Sequence, residues 1–208
     1  RVRNAALHAV GNIVTGDDFQ TQVVLNFGAL ASLKKLLSDS HEKIRKEACW
    51  TISNISAGNG RQIQAVVDAD VVPGLVRILR VEERLDIKRE AAWAISNITY
   101  KGTRDHILFL VEQGALELLC DLLTSQSDPR VLQVALNGIH EMLKAGALEA
   151  QDQRRNGFER GALNRCVQII EDCGGLESIE NLQRHESEKI YDAAFGILLA
   201  HWITDDEE

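Results

Sequence analysis

Proline and aromatic residues are scarce: 2 prolines and 5% Phe, Trp and Tyr in 208 positions. That scarcity argues against a loop-rich all-β protein. Cysteine is sparse too. Cys49, Cys120, Cys166 and Cys173 contain no CxxC pair, and no histidine cluster stands at metal-ligand spacing. They read as free buried thiols of a reducing compartment, so neither a metal nor another cofactor is expected. No apolar run reaches the roughly 18–20 residues that span a membrane, so no membrane partner is expected. No signal-peptide pattern stands in these residues, and none is expected. Methionine occurs once, at Met142, and the first residue is Arg1, so the sequence reads as a piece of a longer chain.

What is present is a chain with 45% apolar residues, which rules out disorder. Its 23 Lys+Arg against 31 Asp+Glu give a net charge of −8. That charge repels phosphate, so a sequence-independent nucleic-acid partner is not expected, and a basic partner is permitted. Asp205, Asp206, Glu207 and Glu208 form an acidic tail that holds half of the excess, so bulk acidity says little.

Internal similarity is the strongest signal. NAALHAVGNIVTG (4–16), EACWTISNISAG (47–58) and EAAWAISNITYKG (90–102) align, with Asn12, Asn54 and Asn97 spaced by 42 and 43 residues. FGALASLKKLL, ADVVPGLVRIL and QGALELLCDLL repeat in step with them. A fourth copy, QVALNGIHEML (133–143), follows, and a fifth, YDAAFGILLAHW (191–202), comes after a longer gap. The extra length falls in the polar, Gly-containing stretch from about Lys144 to Gly161. Approximate units are 1–26, 27–68, 69–112, 113–160 and 161–204, followed by the tail at 205–208. Each reads as helix, turn, helix, turn, helix, with Gly28, Gly114 and Gly174 at helix junctions. No alternating pattern suggests strands. The expected class is all-α: a right-handed α-solenoid of armadillo or HEAT type, in which the last helix of each unit lines the concave face. A repeat cut by the start of the sequence would expose an apolar flank and favour self-association.

The tryptophans sit off the core. Ile44, Ala48, Ile52 and Ile55 mark one buried stripe, and Ile87, Ala91, Ile95 and Ile98 mark the next. Trp50 lies two residues from both Ala48 and Ile52, about 200° round the helix, with Asn54 one turn further on. Trp93 and Asn97 repeat that placement. A lone tryptophan reads as core, and Trp202 is read so. Two copies on the outer face, each with its asparagine, read as a ladder.

An Asn amide carries a donor and an acceptor, so it can hold both N–H and C=O of an extended peptide. A Lys or Arg stem lies well between indole faces, through apolar contact and cation–π attraction of roughly 0.5–2 kcal/mol. Stacking at about 10 Å per unit matches about three residues of extended chain. Glu47 and Glu90, each three residues before its Trp, are expected on the exposed face at the slot rims, with Asp17 and Asp18 adding to the field. The ladder ends where the fourth copy has Asn137 and Glu141 and the fifth has Phe195 and Leu199. In the first copy Asn12 is present but His8 stands at the Trp position. Asn54-Ile55-Ser56 and Asn97-Ile98-Thr99 match the glycosylation pattern, which is discounted inside helices.

These segments carry a resemblance to the importin-α family, armadillo-repeat adaptors that bind nuclear localisation signals. KEACWTISNISAG, KREAAWAISNIT, ALHAVGNIVTGDD and IEDCGGLESIENLQRHESEKIY all resemble that family's later repeats, from the end of the sixth to the tenth. The resemblance implies that Trp50, Asn54, Trp93 and Asn97 form the minor signal-binding array. Asn12, Val14, Thr15 and Thr21 match positions flanking it, and Lys46, Glu47, Ser53 and Glu90 match further contacts. The family commonly has Arg where this chain has His8. Its importin-β-binding segment and major site lie upstream and are not in this sequence. The region around Arg184, His185 and Glu186, with the acidic end, resembles the part gripped by the export receptor. A factor of this kind shuttles between cytoplasm and nucleus. The competing reading is an armadillo scaffold of the adhesion or signalling sort, which lacks a regular Trp/Asn pair. An enzyme is not expected: there is no nucleophile–base–acid set, and Gly58-Asn59-Gly60 is too short for a phosphate loop.

Overall fold

The structure, a computed structural model, describes residues 2–125, 128–156 and 163–203. Its helices fall into two compact units. The unit Arg1–Gln113 holds α1 (Val2–Ile13), α2 (Asp18–Asn26), α3 (Ala29–Leu36), α4 (Glu42–Ser56), α5 (Gly60–Asp68), α6 (Val72–Val81), α7 (Leu85–Lys101) and α8 (Arg104–Glu112). The unit Gly114–Glu208 holds α9 (Ala115–Ser125), α10 (Pro129–Arg155), α11 (Arg165–Asp172), α12 (Gly175–Leu182) and α13 (Glu188–His201). No strand occurs among the described residues, and none of their helices is long and apolar enough to cross a membrane.

The rhythm is two short helices and a long one. In the first unit α2 and α3 precede the 15-residue α4, and α5 and α6 precede the 17-residue α7. Local chemistry sets the joints. Asp17, Asn59 and Thr103 each cap the helix that follows, and the residue three further on (Gln20, Gln62, His106) caps back onto their N–H. Such reciprocal caps satisfy donors that a helix start leaves open. Gly58-Asn59-Gly60 is therefore a helix start, with Asn59 accepting from the N–H of Arg61 and Gln62. Asp17 and Asp18, expected to add field, are also occupied: Asp17 caps α2, and Asp18 accepts from Asn59 Nδ2 at 3.0 Å.

The second joint needs a left-handed residue. Gly28, Gly114 and Gly174 take φ of 73°, 78° and 75°, and Asp70 fills the matching place at 55°. A Cβ at Gly28 would meet nothing within 4 Å, so its substitution isolates backbone strain. Gly28→Ala is expected to cost about 1–2 kcal/mol in chemical denaturation, because a Cβ is disfavoured at this φ. No loss would mean that the joint relaxes out of the left-handed region.

The core follows the expected stripes. Ile44, Ala48, Ile52 and Ile55 on α4 and Ile87, Ala91, Ile95 and Ile98 on α7 are all buried. Ala48 and Ala91 let the long helices α1, α4 and α7 pack side by side, α4 against both of the others. The flank of α1 differs. Ile13 and Phe27 are 47% and 87% exposed. With Val10, Val23 and Leu33 they line an apolar groove of about 590 Å³.

In the second unit the polar stretch after Lys144 is helical as far as Arg155. The helix begun by Asp128 and Pro129 runs through it to Arg155, 27 residues in all. Gly146 inside it allows close packing, since a Cβ there would fall 2.2 Å from Asn164 Oδ1 and 2.8 Å from Cys166 Sγ. The extra residues thus lengthen a helix as far as Arg155, while Gly161 lies outside the described residues, as does the acidic tail at 205–208. His140 and His201 face each other edge-on at 6.2 Å, and burial holds both imidazoles below their usual pKa. Trp202 is half-buried, and its indole N–H donates to Glu171 Oε1 at 2.9 Å.

Candidate peptide-binding site

The sequence ladder maps onto α1, α4 and α7. On α4, Trp50 and Asn54 are half-buried, on the side away from the Ile stripe. Trp93 and Asn97 repeat this on α7. Each pair is one helical turn apart, so the outer face carries indole then amide in both copies.

Neighbouring helices hold these side chains in place. Asn97 Nδ2 donates to the Ser53 carbonyl of α4 at 2.9 Å, which fixes the amide and leaves its oxygen and second N–H for a ligand. Asn54 Nδ2 is buried without a hydrogen-bond partner, an unusual cost for a native amide. Trp50 lies across Gly11 of α1, where a Cβ would meet its ring carbons at 2.3 and 2.8 Å. His8 stacks on the same indole, centroids 5.9 Å apart and planes 22° from parallel. Its Nδ1 meets Glu47 Oε1 at 2.5 Å. On α7 the Arg89 guanidinium sits 5.4 Å from the Trp93 centroid. Each indole therefore already carries a basic side chain of this chain against it.

The carboxylates depart from expectation. Glu47 is half-buried and shared with His8, so it lies near the groove surface. Glu90 was expected on the exposed face, yet it is only 7% exposed and pairs with Arg89 Nη2 at 3.5 Å. Burial pushes its carboxyl above the usual carboxylate range, with Arg89 opposing. The reason is helix neighbour geometry. Three residues before a half-buried Trp is a position that α4 shields. Asp86, not singled out from the sequence, is the ionised acid on this side. Its hydrogen bond from Lys46 Nζ, at 2.8 Å, holds the carboxyl down to about 2.

The remaining expected positions divide by burial. Asn12 and Thr15 are exposed, and Thr15 Oγ1 donates to the Asn12 carbonyl at 2.7 Å. Val14 and Thr21 are 3% exposed, with Thr21 Oγ1 donating to the Val14 carbonyl, so they support α1 from beneath. Ser53 is buried, and its hydroxyl donates to the Trp50 carbonyl at 2.9 Å. Lys46 is half-buried and engaged with Asp86. Sequence reasoning missed Gly11, Arg89 and Asp86. Gly11 was visible as the one copy with Gly before the ladder Asn, where the others have Ser53 and Ser96. Arg89 was visible as a cation four residues before Trp93. In α10 and α13 the outward positions persist with other chemistry. Asn137 is exposed and accepts from Gln133, and Phe195 stacks on Tyr191 at 5.9 Å.

An armadillo/beta-catenin-like repeat profile matches residues 17–57, 61–100 and 103–149, and an atypical armadillo repeat matches 164–208. The chain belongs to the armadillo-repeat family. Among curated relatives, importin subunit alpha-1b of Oryza sativa subsp. japonica is 49% identical over 204 residues, 98% of this chain and 37% of its own length. Importin subunit alpha-4 of Arabidopsis thaliana is 48% identical over the same shares. The chain thus spans well under half the length of these relatives. Among solved structures, a designed armadillo repeat protein in complex with peptide (KR)4 aligns with a TM-score of 0.78 and 34% identity, over 96% of this chain and 75% of that one. The all-α armadillo class expected from the repeat is therefore shown, and the importin-α resemblance is that of true homologues. The profile starts each armadillo repeat at the beginning of α2, α5 and α8, one helix earlier than the units marked at 27, 69 and 113. In that phase the Trp-bearing helices α4 and α7 close their repeats.

Proposed function

We propose that this armadillo chain binds an extended Lys/Arg-rich peptide, the kind that serves as a nuclear localisation signal, along the Trp/Asn face of α4 and α7. The observation that carries this reading is the repeated pair, Trp50/Asn54 and Trp93/Asn97, turned outward on helices packed side by side. Importin-α relatives and a designed armadillo protein holding (KR)4 support it. In this reading the site is the minor signal site of an import adaptor that shuttles between cytoplasm and nucleus. The amides of Asn54 and Asn97 hold the peptide backbone, and the indoles take the basic stems. His8 and Arg89 mark where those stems go: each is a resident side chain on an indole that an incoming side chain joins or displaces. Glu47 and Asp86 supply local negative charge, while Glu90, being buried, acts by keeping Arg89 in position. In the parent protein importin-β engages through an upstream segment, and an export receptor engages near Arg184, His185 and Glu186.

Calorimetric titration with a (KR)4 peptide over a salt series tests the proposal. Binding is expected to weaken as ionic strength rises, because partly exposed charges are screened within about 10 Å at 0.1 M. Absence of binding overturns the function. Binding with a flat salt response overturns the part given to the carboxylates.

A further inference from the structure

Cys120 and Cys173 were both read from the sequence as buried thiols; Cys120 is buried, but Cys173, at the end of a helix, is not, and the two meet in the second unit. Cys173 is exposed and ends α11, just before the left-handed Gly174 and the start of α12. Cys120 lies on α9, which packs against both α11 and α12. A Cβ on Gly175 would fall 2.7 Å from Cys120 Sγ and 3.0 Å from Cys120 Cβ. The Cys120 sulfur is therefore pressed against the backbone two residues beyond Cys173. The two thiols are electrostatic neighbours across this contact, and the Cys173 S–H donates to the Ile170 carbonyl at 3.5 Å.

We propose that Cys173 and Cys120 form a reversible thiol–disulfide site, in which Cys173 attacks a low-molecular-weight disulfide and Cys120 resolves the adduct. The Cys173 thiolate forms a bond to one sulfur of the small disulfide, and the other sulfur leaves as a thiolate. Cys120 then gives up its proton and attacks the Cys173 sulfur. The second small thiolate leaves, and a Cys120–Cys173 bond closes. The protein loses two electrons and two protons, and one disulfide becomes two thiols. The roles follow from the surroundings. The neighbouring Cys120 thiol, with the Gly175 N–H at the start of α12, holds the Cys173 thiol down to about 7 against burial, so part of it is thiolate at neutral pH. The neighbouring Cys173 thiol and burial push Cys120 up, so it reacts only with a sulfur already beside it. Burial also pushes Cys49 and Cys166 up, and these two serve as internal controls. The bond ties α9 to the α11–α12 joint.

Glutathione disulfide is the probe, with acid quenching, intact mass and peptide mapping as readouts. The wild-type chain is expected to pass through a single glutathionyl adduct to a species lighter by two hydrogens, with Cys120 and Cys173 in one linked peptide. Cys120→Ser is expected to stop at the adduct, and Cys173→Ser to react at least ~10-fold more slowly. A wild-type chain that stays at the adduct overturns the resolving step. Modification that maps to Cys49 or Cys166 before Cys173 overturns the site. The wild-type map requires no variant, so a misfolded mutant cannot hide the answer.

Discussion

Replacing both Trp50 and Trp93 with alanine is expected to abolish binding of a (KR)4 peptide. Each indole offers a basic stem roughly 0.5–2 kcal/mol of cation–π attraction, and a buried aromatic anchor commonly costs 2 kcal/mol or more when truncated. Two such losses amount to about 10³-fold in affinity. The single variants are not equivalent. Trp50 also packs on Gly11 and His8 of α1, so Trp50→Ala removes part of the α1–α4 contact along with the slot. Trp93 meets Arg89 of its own helix, so Trp93→Ala leaves the packing between helices nearer to intact. Trp93→Ala is thus the cleaner binding variant, and Trp50→Ala is expected to lower the thermal midpoint as well. Titration calorimetry beside a circular-dichroism melt separates the two effects. A double variant that keeps its affinity would move the peptide site off these helices.

How much of this was readable from residues alone depends on what each residue answers to. The stripes on α4 and α7 answer to the helix's own period, so both were legible and all eight positions are buried. The outward turn of Trp50 and Trp93 follows from the same arithmetic. The joints were half legible. Gly28, Gly114 and Gly174 announce themselves, while Asp70 holds the same left-handed place without a glycine to mark it. Glu90 was misplaced because helical angle alone cannot say how far a neighbouring helix shields the edge of a face. The contact of His8 with Trp50 was out of reach for a similar reason. His8 reaches Trp50 from 42 positions away in sequence, and only the packing of α1 on α4 brings them together. The polar composition after Lys144 located the extra length without showing that α10 runs through Gly146. The value of that glycine is the missing Cβ, which Asn164 and Cys166 pack against.

Sequence-matched positions need not be energetically matched, and one register tests this. Ile13, Ile55 and Ile98 each follow the ladder asparagine of their helix. Ile55 and Ile98 are fully buried, whereas Ile13 is 47% exposed on the apolar groove beside Val23 and Phe27. Truncating a buried Ile to Ala removes its transfer free energy and leaves a cavity, for about 2–5 kcal/mol. At Ile13 water already reaches half the side chain and can fill the space, so the cost is expected to be about 1 kcal/mol. Urea unfolding followed by the fluorescence of Trp50 and Trp93, with Trp202 replaced by phenylalanine in every variant, reads this unit. Ile55→Ala and Ile98→Ala are expected to drop the midpoint steeply, and Ile13→Ala only slightly. Equal losses at all three would mean that repeat identity, and not the burial each neighbour provides, sets the energy. Stability in a repeat stack is carried largely by contacts between adjacent repeats. On that ground the two deeply buried isoleucines hold the peptide-binding face in shape, by keeping α4 and α7 at the spacing that Trp50 and Trp93 require.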